Sequence, residues 1–427
     1  MNKRFFVKTF GCQMNKNDSS IIIHLLNENG YELVQDPEGA DILLVNTCSV
    51  RAHAEDRALG YISTLKDWRK NRNRILGVVG CMAERLSGTL TKDYQFVDLI
   101  LGPDAYRNIG YLIKEVSDKG IRIVETSLDN ETYCGIYPAG LEISTFISIT
   151  RGCSNFCSYC VVPYVRGGVR SRPVQDIVKE VENLVSGGVK DITLLGQNVN
   201  EYLYQGIDFA KLLKICALVP KLFRLRFLTS HPKDFDEDVI ETIKTQKNIC
   251  ERFHLPLQSG CNRILKLMNR KYTKERYLDL IKKIKEEIPE AAITTDIIVG
   301  FPTETEEEFL ETLSVLEKVK FDDAYMYRYS AREGTKAFQY ESLPEAEIKK
   351  RLRTLIDFQN RIIADKTKAM IGKTYEVLFE AEAKKYGTRG KTRGNKDVIV
   401  EKNIAPGAVH EVIINKVRGT TPIGEIA

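Results

Sequence analysis

The chain has 427 residues, which at about 150 residues per domain is enough for roughly three domains. Hydrophobic residues make up 43% and charged residues 28%, a composition typical of folded protein that excludes disordered, collagen-like and fibrous classes. No apolar run reaches the 18 or so residues of a membrane-spanning helix and no export signal is evident, so we expect a cytoplasmic protein without membrane contact. Ten cysteines are too few for a disulfide scaffold, and clustered thiols therefore indicate metal binding or catalysis.

The first 120 residues alternate apolar runs with amphipathic stretches. Strands are predicted at residues 5–10, 42–45, 75–79 and 97–101, with helices from about Asp18, Ala52 and Asp104. Such alternation predicts an α/β domain with a parallel sheet. Residues 121–144 lose the periodicity and are predicted to be a linker.

A second alternation occupies residues 145–369. Strands are predicted near residues 146–150, 191–195, 223–228, 251–255, 294–299 and 324–329, and a charged exit helix at residues 344–369. Six strand and helix units predict a partial (β/α)6 barrel, with its chemistry at the C-terminal strand ends.

Residues 370–427 change to short β-branched runs punctuated by glycines, which predicts a small antiparallel β-barrel. From Lys368 onward there are 11 Lys and Arg against 7 Asp and Glu, a net charge of +4. Six cations lie within thirteen positions: Lys384, Lys385, Arg389, Lys391, Arg393 and Lys396. They form either a solvated loop or a phosphate-binding surface.

Three cysteines stand together directly after the first predicted barrel strand: Cys153, Cys157 and Cys160. Three thiolates on one tight loop can hold three corners of a 4Fe-4S cube and leave the fourth iron open for a small ligand. A thioredoxin-like pair and a zinc site are the alternatives, but neither uses all three cysteines at this spacing without further residues.

Three further cysteines each follow a predicted strand of the N-terminal domain: Cys12, Cys48 and Cys81. Because the C-terminal ends of parallel strands share one sheet edge, these thiols can converge and hold a second cluster. Taken singly, each also fits a small buried hydrophobe. The remaining Cys134, Cys216, Cys250 and Cys261 follow no pattern and are assigned to packing or surface.

The spacing of the barrel cysteines resembles the signature of radical S-adenosylmethionine enzymes, and the whole chain resembles the methylthiotransferases. The segments that carry this resemblance are residues 9–15 (TFGCQMN), 46–51 (NTCSVR) and 156–164 (FCSYCVVPY). They are most similar to the branch of the family that modifies N6-dimethylallyladenosine in tRNA. The resemblance implies an N-terminal cluster domain, a radical barrel and a C-terminal TRAM domain.

The resemblance also implies cofactors and contacts. It implies two 4Fe-4S clusters held by the two cysteine triplets, and S-adenosyl-L-methionine bound at strand ends by Tyr159, Gln197, Gln258, Ser259, Asp296 and Gly300. For these side chains a strand cap or a satisfied buried polar group is the alternative. Arg332 faces the same mouth and can hold a phosphate or a carboxylate.

The implied activity is methylthiolation of C2 of N6-dimethylallyladenosine next to the anticodon, with two S-adenosylmethionine molecules consumed. The implied partners are a tRNA anticodon stem-loop and an electron donor such as a flavodoxin or ferredoxin. Three other hypotheses remain open: methylthiolation of threonylcarbamoyladenosine, methylthiolation of a ribosomal protein aspartate, and an iron-sulfur tRNA-binding protein without turnover.

Overall fold

The computed structural model of the chain describes residues 3–50, 52–71, 73–138, 142–383 and 387–427. Three regions follow one another, here called the N-terminal sheet, the central barrel and the C-terminal barrel. This mixed α/β architecture confirms the predicted fold class. None of the helices among these residues has the length and apolar character needed to cross a bilayer.

The N-terminal sheet has six parallel strands in the order β2-β1-β3-β4-β5-β6. Its strands are β1 (Arg4–Thr9), β2 (Glu32–Leu33), β3 (Ile42–Thr47), β4 (Ile75–Gly80), β5 (Leu99–Leu101) and β6 (Ile123–Glu125). Its helices are α1 (Gln13–Glu28), α2 (Ala52–Thr64), α3 (Cys81–Arg85), α4 (Ser87–Asp93) and α5 (Ile109–Lys119). Every residue of β3 and β4 is buried, because separate apolar clusters cover the two faces of the sheet.

Two helices of this region begin elsewhere than predicted. Helix α1 begins five residues early, at Gln13, because Cys12 caps it and the side chain of Asn15 accepts a hydrogen bond from the Cys12 backbone N–H at 3.3 Å. Helix α5 begins late, at Ile109, after a 3-10 turn over Tyr106–Asn108.

The segment predicted as a linker contains ordered structure. Strand β6 lies within it and extends the N-terminal sheet by pairing with β5. Tyr133 is 1% exposed, and Asp176 of the central region accepts hydrogen bonds from the Gly135 N–H at 2.8 Å and the Tyr137 hydroxyl at 2.7 Å. A three-residue edge strand has too few residues to display periodicity, so the sequence pattern missed it. Residues 139–141 of the predicted linker lie outside the described residues.

The central barrel is built from two parallel three-stranded sheets, β7-β10-β13 and β14-β15-β16. Its strands, with three short flanking pairs, are β7 (Ser144–Ser148), β8 (Thr150–Arg151), β9 (Arg170–Ser171), β10 (Asp191–Leu195), β11 (Leu203–Tyr204), β12 (Ile207–Asp208), β13 (Arg224–Leu228), β14 (Arg252–His254), β15 (Ala292–Val299) and β16 (Asp323–Arg328). Its helices are α6 (Val162–Arg166), α7 (Val174–Ser186), α8 (Phe209–Ala217), α9 (Glu237–Thr245), α10 (Asn262–Leu267), α11 (Lys274–Glu287) and α12 (Glu306–Val319). A parallel bridge between Leu225 and Ile249 joins the two sheets, so six strands form the predicted partial barrel.

The chain leaves the central barrel through α13 (Glu345–Lys368) and ends in a closed five-stranded barrel of order β17-β18-β19-β21-β20. The strands are β17 (Thr374–Glu382), β18 (Thr388–Thr392), β19 (Asp397–Val400), β20 (Val409–Arg418) and β21 (Thr421–Ile426). Strands β18 and β21 were not predicted, since neither carries a β-branched run. The predicted antiparallel pairing holds except between β19 and β21, which pair in parallel.

The C-terminal barrel packs against the amino-terminal end of the central barrel. Arg224, fully buried at the start of β13, donates to the Lys391 carbonyl at 2.8 Å and pairs with Glu376 at 2.8 Å. Arg226 donates to the Thr392 carbonyl at 3.1 Å. The opposite, carboxyl-terminal end of the central barrel faces the N-terminal sheet.

Candidate active site

One cavity of about 740 Å³ begins at the N-terminal sheet, passes the carboxyl-terminal strand ends of the central barrel and continues through the barrel interior to Glu380 and Lys391 of the C-terminal barrel. All six cysteines singled out in the sequence line it: Cys12, Cys48, Cys81, Cys153, Cys157 and Cys160. They come from two separate domains, and the fold places both triplets on the wall of the same chamber.

The barrel triplet sits on the loop between β8 and α6, and its three thiols are partly exposed to the cavity. The Asn155 side-chain amide donates to Cys153 Sγ at 3.4 Å. The Arg270 guanidinium, which is buried, donates to Cys157 Sγ at 3.4 Å. These donors work against burial, which raises the pKa of Cys153 and raises the pKa of Cys160 to about 12. The thiols would therefore lose their protons when they bind iron.

The N-terminal triplet follows three neighbouring strands, as the shared-edge argument requires. Cys12 follows β1, Cys48 follows β3 and Cys81 follows β4, and these strands are adjacent in the sheet. A hydrogen bond with Cys48 lowers the pKa of the Cys12 thiol to about 6, and the same bond raises the pKa of Cys48 well above its usual value. The order of the strands thus brings together thiols that are far apart in the sequence.

Arg166 of α6 connects the N-terminal triplet to the central barrel. Its Nε donates to Cys81 Sγ at 3.0 Å, and its Nη2 donates to Asp18 of α1 at 2.5 Å. The other Asp18 oxygen accepts from Arg151 at 2.7 Å, and all three charged side chains are at most 3% exposed. Burial works to raise the pKa of Asp18, but the two guanidiniums outweigh it and hold that pKa below its usual value.

Four of the six predicted S-adenosylmethionine contacts line the cavity: Tyr159, Gln197, Gln258 and Asp296. The side-chain oxygens of Gln197 and Gln258 are buried and accept no hydrogen bond from the described residues. Two unfilled acceptors on the wall of one cavity are available to a ligand that carries N–H donors.

The other two predicted contacts do not line it. Ser259 is fully buried and accepts from the Cys261 N–H at 3.2 Å, so its hydroxyl stabilises the turn that precedes α10. Gly300 is required by the local backbone conformation, because its φ is +68°. A side chain there would also collide with Ile348, whose nearest atom is 2.7 Å from the ideal Cβ position. Strand-end position alone did not reveal which way each residue faces.

His231 is a cavity residue that the sequence did not indicate. Burial, reinforced by the charges of Arg270 and Lys233, lowers its pKa to about 2, so the ring is neutral. Nδ1 accepts from the Lys233 N–H at 3.2 Å, which puts the ring proton on Nε2. Nε2 has no partner among the described residues, and the ring lies on the cavity wall, so it is an available donor.

Arg332 lines the cavity as expected, but it is already engaged on one side. Its Nη1 pairs with Glu55 of α2 at 3.2 Å, and Arg85 pairs with the same carboxylate at 2.6 Å. The Nη2 atom of Arg332 has no partner among the described residues. One face of this guanidinium is therefore free to bind an anion.

Two cations of the predicted C-terminal basic surface are paired within the protein. Arg393 pairs with Glu251 of the central barrel at 2.5 Å, and Lys391 pairs with Glu380 at 3.3 Å. Lys396 is partly buried, and burial lowers its pKa. Arg389 is exposed, while Lys384 and Lys385 lie outside the described residues. The phosphate-binding role of these six cations stays a prediction.

Within the described part of the chain, no three His, Cys, Asp or Glu side chains meet closely enough to ligate one metal ion. A single zinc would need such a convergent set. Thiolates that hold a 4Fe-4S cube each bind a different iron, so they do not need to converge on one ion.

Two family models match the chain in separate regions. The radical SAM superfamily matches residues 147–316, which include the barrel triplet. Uncharacterized protein family UPF0004 matches residues 4–102, which include the N-terminal triplet.

Curated relatives match over nearly the whole chain. A protein of Azobacteroides pseudotrichonymphae is 43% identical over 436 residues, covering 99% of this chain and 97% of the relative. A protein of Bacteroides fragilis is 44% identical, covering 94% of this chain and 90% of the relative. Each is named tRNA-2-methylthio-N(6)-dimethylallyladenosine synthase.

Solved structures share the fold at low sequence identity. The radical S-adenosylmethionine methyltransferase TsrM from Kitasatospora setae, solved with cobalamin and a [4Fe-4S] cluster, superposes with a TM-score of 0.55 at 14% identity, covering 77% of this chain and 75% of that one. The cobalamin-dependent S-adenosylmethionine radical enzyme OxsB gives 0.54 at 13% identity, covering 84% and 56%.

Proposed function

Because the chain belongs to the family of tRNA-2-methylthio-N(6)-dimethylallyladenosine synthases, we propose that it methylthiolates C2 of N6-dimethylallyladenosine next to the anticodon of tRNA. The reaction is that of a radical S-adenosylmethionine enzyme, in agreement with the family model that covers the barrel triplet. It uses two S-adenosylmethionine molecules and two 4Fe-4S clusters.

The observation that carries this proposal is the single cavity shared by both cysteine triplets. A group assembled at one triplet has to reach the carbon activated at the other. A common chamber of about 740 Å³ lets both act on one adenine without its release.

The residues present suit these groups. Cys153, Cys157 and Cys160 would hold the cluster with the open iron, and Cys12, Cys48 and Cys81 would hold the second cluster. Arg270 and Arg166 each donate to one sulfur and supply positive charge against an anionic cluster. When bound, the open-iron cluster supplies reductive cleavage of S-adenosylmethionine, and hence removal of hydrogen from a carbon that no side-chain base could deprotonate.

The polar wall orients the cofactor. The unfilled oxygens of Gln197 and Gln258 are acceptors for amino groups of S-adenosylmethionine, and His231 offers its Nε2 proton to an anionic or carbonyl oxygen. Tyr159 contributes an aromatic face beside the barrel thiols.

The substrate's N6 group is the point at which the family branches differ. A dimethylallyl group is apolar, whereas a threonylcarbamoyl group carries a carboxylate that is costly to bury without a cation. Arg332 is the cation at hand, and because it shares the Glu55 carboxylate with Arg85, these three side chains keep one net positive charge. We assign its free Nη2 to an RNA phosphate.

Two partners follow from this reaction. One is the tRNA anticodon stem-loop, for which exposed Arg389 of the C-terminal barrel and Arg332 supply phosphate contacts. The other is a low-potential electron donor such as a flavodoxin or ferredoxin.

The decisive test is mass spectrometry of nucleosides after reaction of the reconstituted protein with three anticodon stem-loops, carrying dimethylallyl-, threonylcarbamoyl- or unmodified adenosine. We expect the methylthio product from the first and little from the others. Faster turnover of the threonylcarbamoyl RNA would overturn the substrate while preserving the reaction class. Cleavage of S-adenosylmethionine without any methylthiolated nucleoside would overturn the transfer reaction itself.

A further inference from the structure

Two aromatic side chains beside the barrel triplet are exposed to solvent. Phe156 and Tyr164 are each 52% exposed, and their rings form an edge-to-face pair with centroids 6.2 Å apart. Phe156 adopts a φ of +47°, which is unfavourable for a bulky residue, and the Asn269 side-chain amide donates to its carbonyl at 2.9 Å. The fold thus maintains an exposed aromatic surface at some conformational cost.

Exposed lysines stand on the two elements that contact this loop. Lys266 and Lys271 flank the end of α10, and Lys336 begins the 3-10 turn Lys336–Gln339, which also exposes Phe338 by 50%. Among the residues that the structure describes, none forms an ion pair with these three lysines.

Backbone hydrogen bonds fix these elements around the triplet loop. The Ser158 N–H donates to the Met268 carbonyl at 3.0 Å, and the Ala337 N–H donates to the Ser158 carbonyl at 2.7 Å. An apolar cluster that includes Met268 and Ala337 packs beneath them. The elements that carry the aromatic and lysine side chains are therefore joined at the triplet loop, and Arg270, which precedes Lys271, lines the cavity itself.

We propose that this surface, the triplet-loop rim, binds unpaired nucleotides of the RNA substrate beside the one that enters the cavity. The rim consists of Phe156, Tyr164, Phe338, Lys266, Lys271 and Lys336. This inference rests on the proposed function and adds to it a binding surface outside both the cavity and the C-terminal barrel.

The chemistry of the rim selects single-stranded nucleic acid. Bases splayed out of a loop stack on aromatic rings, and lysines bind the connecting phosphates, a combination that sequence-tolerant single-strand sites use. An apolar protein partner would gain nothing from three unpaired lysines. With Lys391 and Arg393 paired within the protein, the rim supplies positive charge at the cavity where the RNA must bend in.

The test is the affinity of the reconstituted holoenzyme for a fluorescent anticodon stem-loop carrying dimethylallyladenosine, measured by anisotropy at several salt concentrations. Tyr164→Leu and Phe156→Leu should each weaken binding about tenfold by loss of stacking. The combined variant K266Q/K271Q/K336Q should lower the slope of log affinity against log salt by about 2, which corresponds to three lost phosphate contacts.

A matched control removes the same charge at the edge of the N-terminal sheet opposite the cysteines. Lys66, Lys92 and Lys114 are exposed there, in or just after helices α2, α4 and α5, which run opposite to the strands. The variant K66Q/K92Q/K114Q should leave the salt slope nearly unchanged. Tyr111→Leu, which alters a 62% exposed tyrosine on α5, should leave the affinity nearly unchanged.

Iron content and melting temperature show which variants fold. Should Phe156→Leu lose iron because it adjoins Cys157, Tyr164→Leu and the lysine variant still decide the question. The proposal for the rim would be overturned if the two lysine variants gave the same slope of log affinity against log salt, or if Tyr164→Leu left the affinity unchanged. It would also be overturned if the wild type bound no RNA. If the wild type binds RNA through the rim but produces no methylthiolated nucleoside, the proposed function is wrong and the proposal that the rim binds RNA remains supported.

Discussion

The buried carboxylate of Asp18 joins the N-terminal sheet to the central barrel, and its replacement by asparagine should weaken that junction strongly. Arg151 and Arg166 donate to its two oxygens at 2.7 and 2.5 Å, and no charged atom of the three is more than 3% exposed. The substitution Asp18→Asn keeps the size of the side chain and removes the carboxylate that pairs directly with both guanidiniums.

The magnitude follows from burial. Removing one partner of a buried ion pair costs about 3–5 kcal/mol, chiefly because the remaining charge stays desolvated. The asparagine oxygen still accepts one hydrogen bond, and Arg151 keeps its bond to the Pro103 carbonyl at 3.0 Å, so we expect the lower end, about 3 kcal/mol. With an m-value of about 2 kcal/mol per molar urea, the unfolding midpoint should fall by about 1.5 M.

Urea unfolding of the reduced, metal-free protein measures this directly. Trp68 is the single tryptophan of the chain and is buried in the N-terminal sheet, so its fluorescence reports that region, while far-ultraviolet circular dichroism reports the whole chain. The pKa of Asp18 lies below its usual 3.8, so its contribution is present above that pH and is lost as pH falls. The difference between wild type and Asp18→Asn should therefore narrow in acid.

The control is Asp67→Asn, which breaks a solvent-exposed pair with Lys70 whose side chains are 83% and 74% exposed. It should not shift the midpoint measurably. If Asp18→Asn shifts the fluorescence midpoint no more than Asp67→Asn does, the buried network does not hold the N-terminal sheet in place, and this account of the junction is wrong.

Three further outcomes follow from other contacts. Anaerobic reconstitution should give about eight irons per chain, and alanine at all three barrel cysteines should leave about four; a wild type that saturates at four would remove the N-terminal cluster. Deletion of residues 370–427 should lower the melting temperature of the remaining chain, since fully buried Arg224 loses its partners Lys391 and Glu376, and an unchanged melt would contradict this. A hydrogen bond from Arg263 lowers the pKa of Glu308 to about 2, so Glu308→Gln should destabilise the protein above about pH 5. The difference in unfolding free energy between this variant and the wild type should vanish as the pH falls toward 2. A difference that does not depend on pH would exclude the ionised pair as its cause.

Local sequence determined the features that depend on neighbouring residues. The spacing of Cys153, Cys157 and Cys160 places three thiols on one loop whatever the rest of the chain does. Apolar periodicity located the six principal barrel strands within a few residues, because a strand buried between helices must be apolar along its length. Short polar strands such as β18, and the three-residue edge strand β6, have no such pattern and were missed.

The N-terminal triplet is an intermediate case. That Cys12, Cys48 and Cys81 follow strands was visible in the sequence, and parallel pairing put them at one edge. Their closeness also required β1, β3 and β4 to be neighbours, with the short β2 placed outside them. Strand order depends on how helices cover both faces of the sheet, which the sequence pattern did not reveal.

Which side chains share the cavity depends on how the domains pack, and the sequence pattern did not reveal it. Domain packing places Arg166 beside Cys81 and Arg270 beside Cys157, across 85 and 113 residues of sequence. Ser259 and Gly300 lie away from the cavity, and Arg393 pairs with Glu251. Local periodicity records whether a residue is buried, because burial of a strand or helix face follows from its own apolar pattern. The partner of a buried charge is chosen by domain packing, where desolvation makes an unpaired guanidinium costly and long-range contacts between domains supply the opposite charge or the sulfur that balances it.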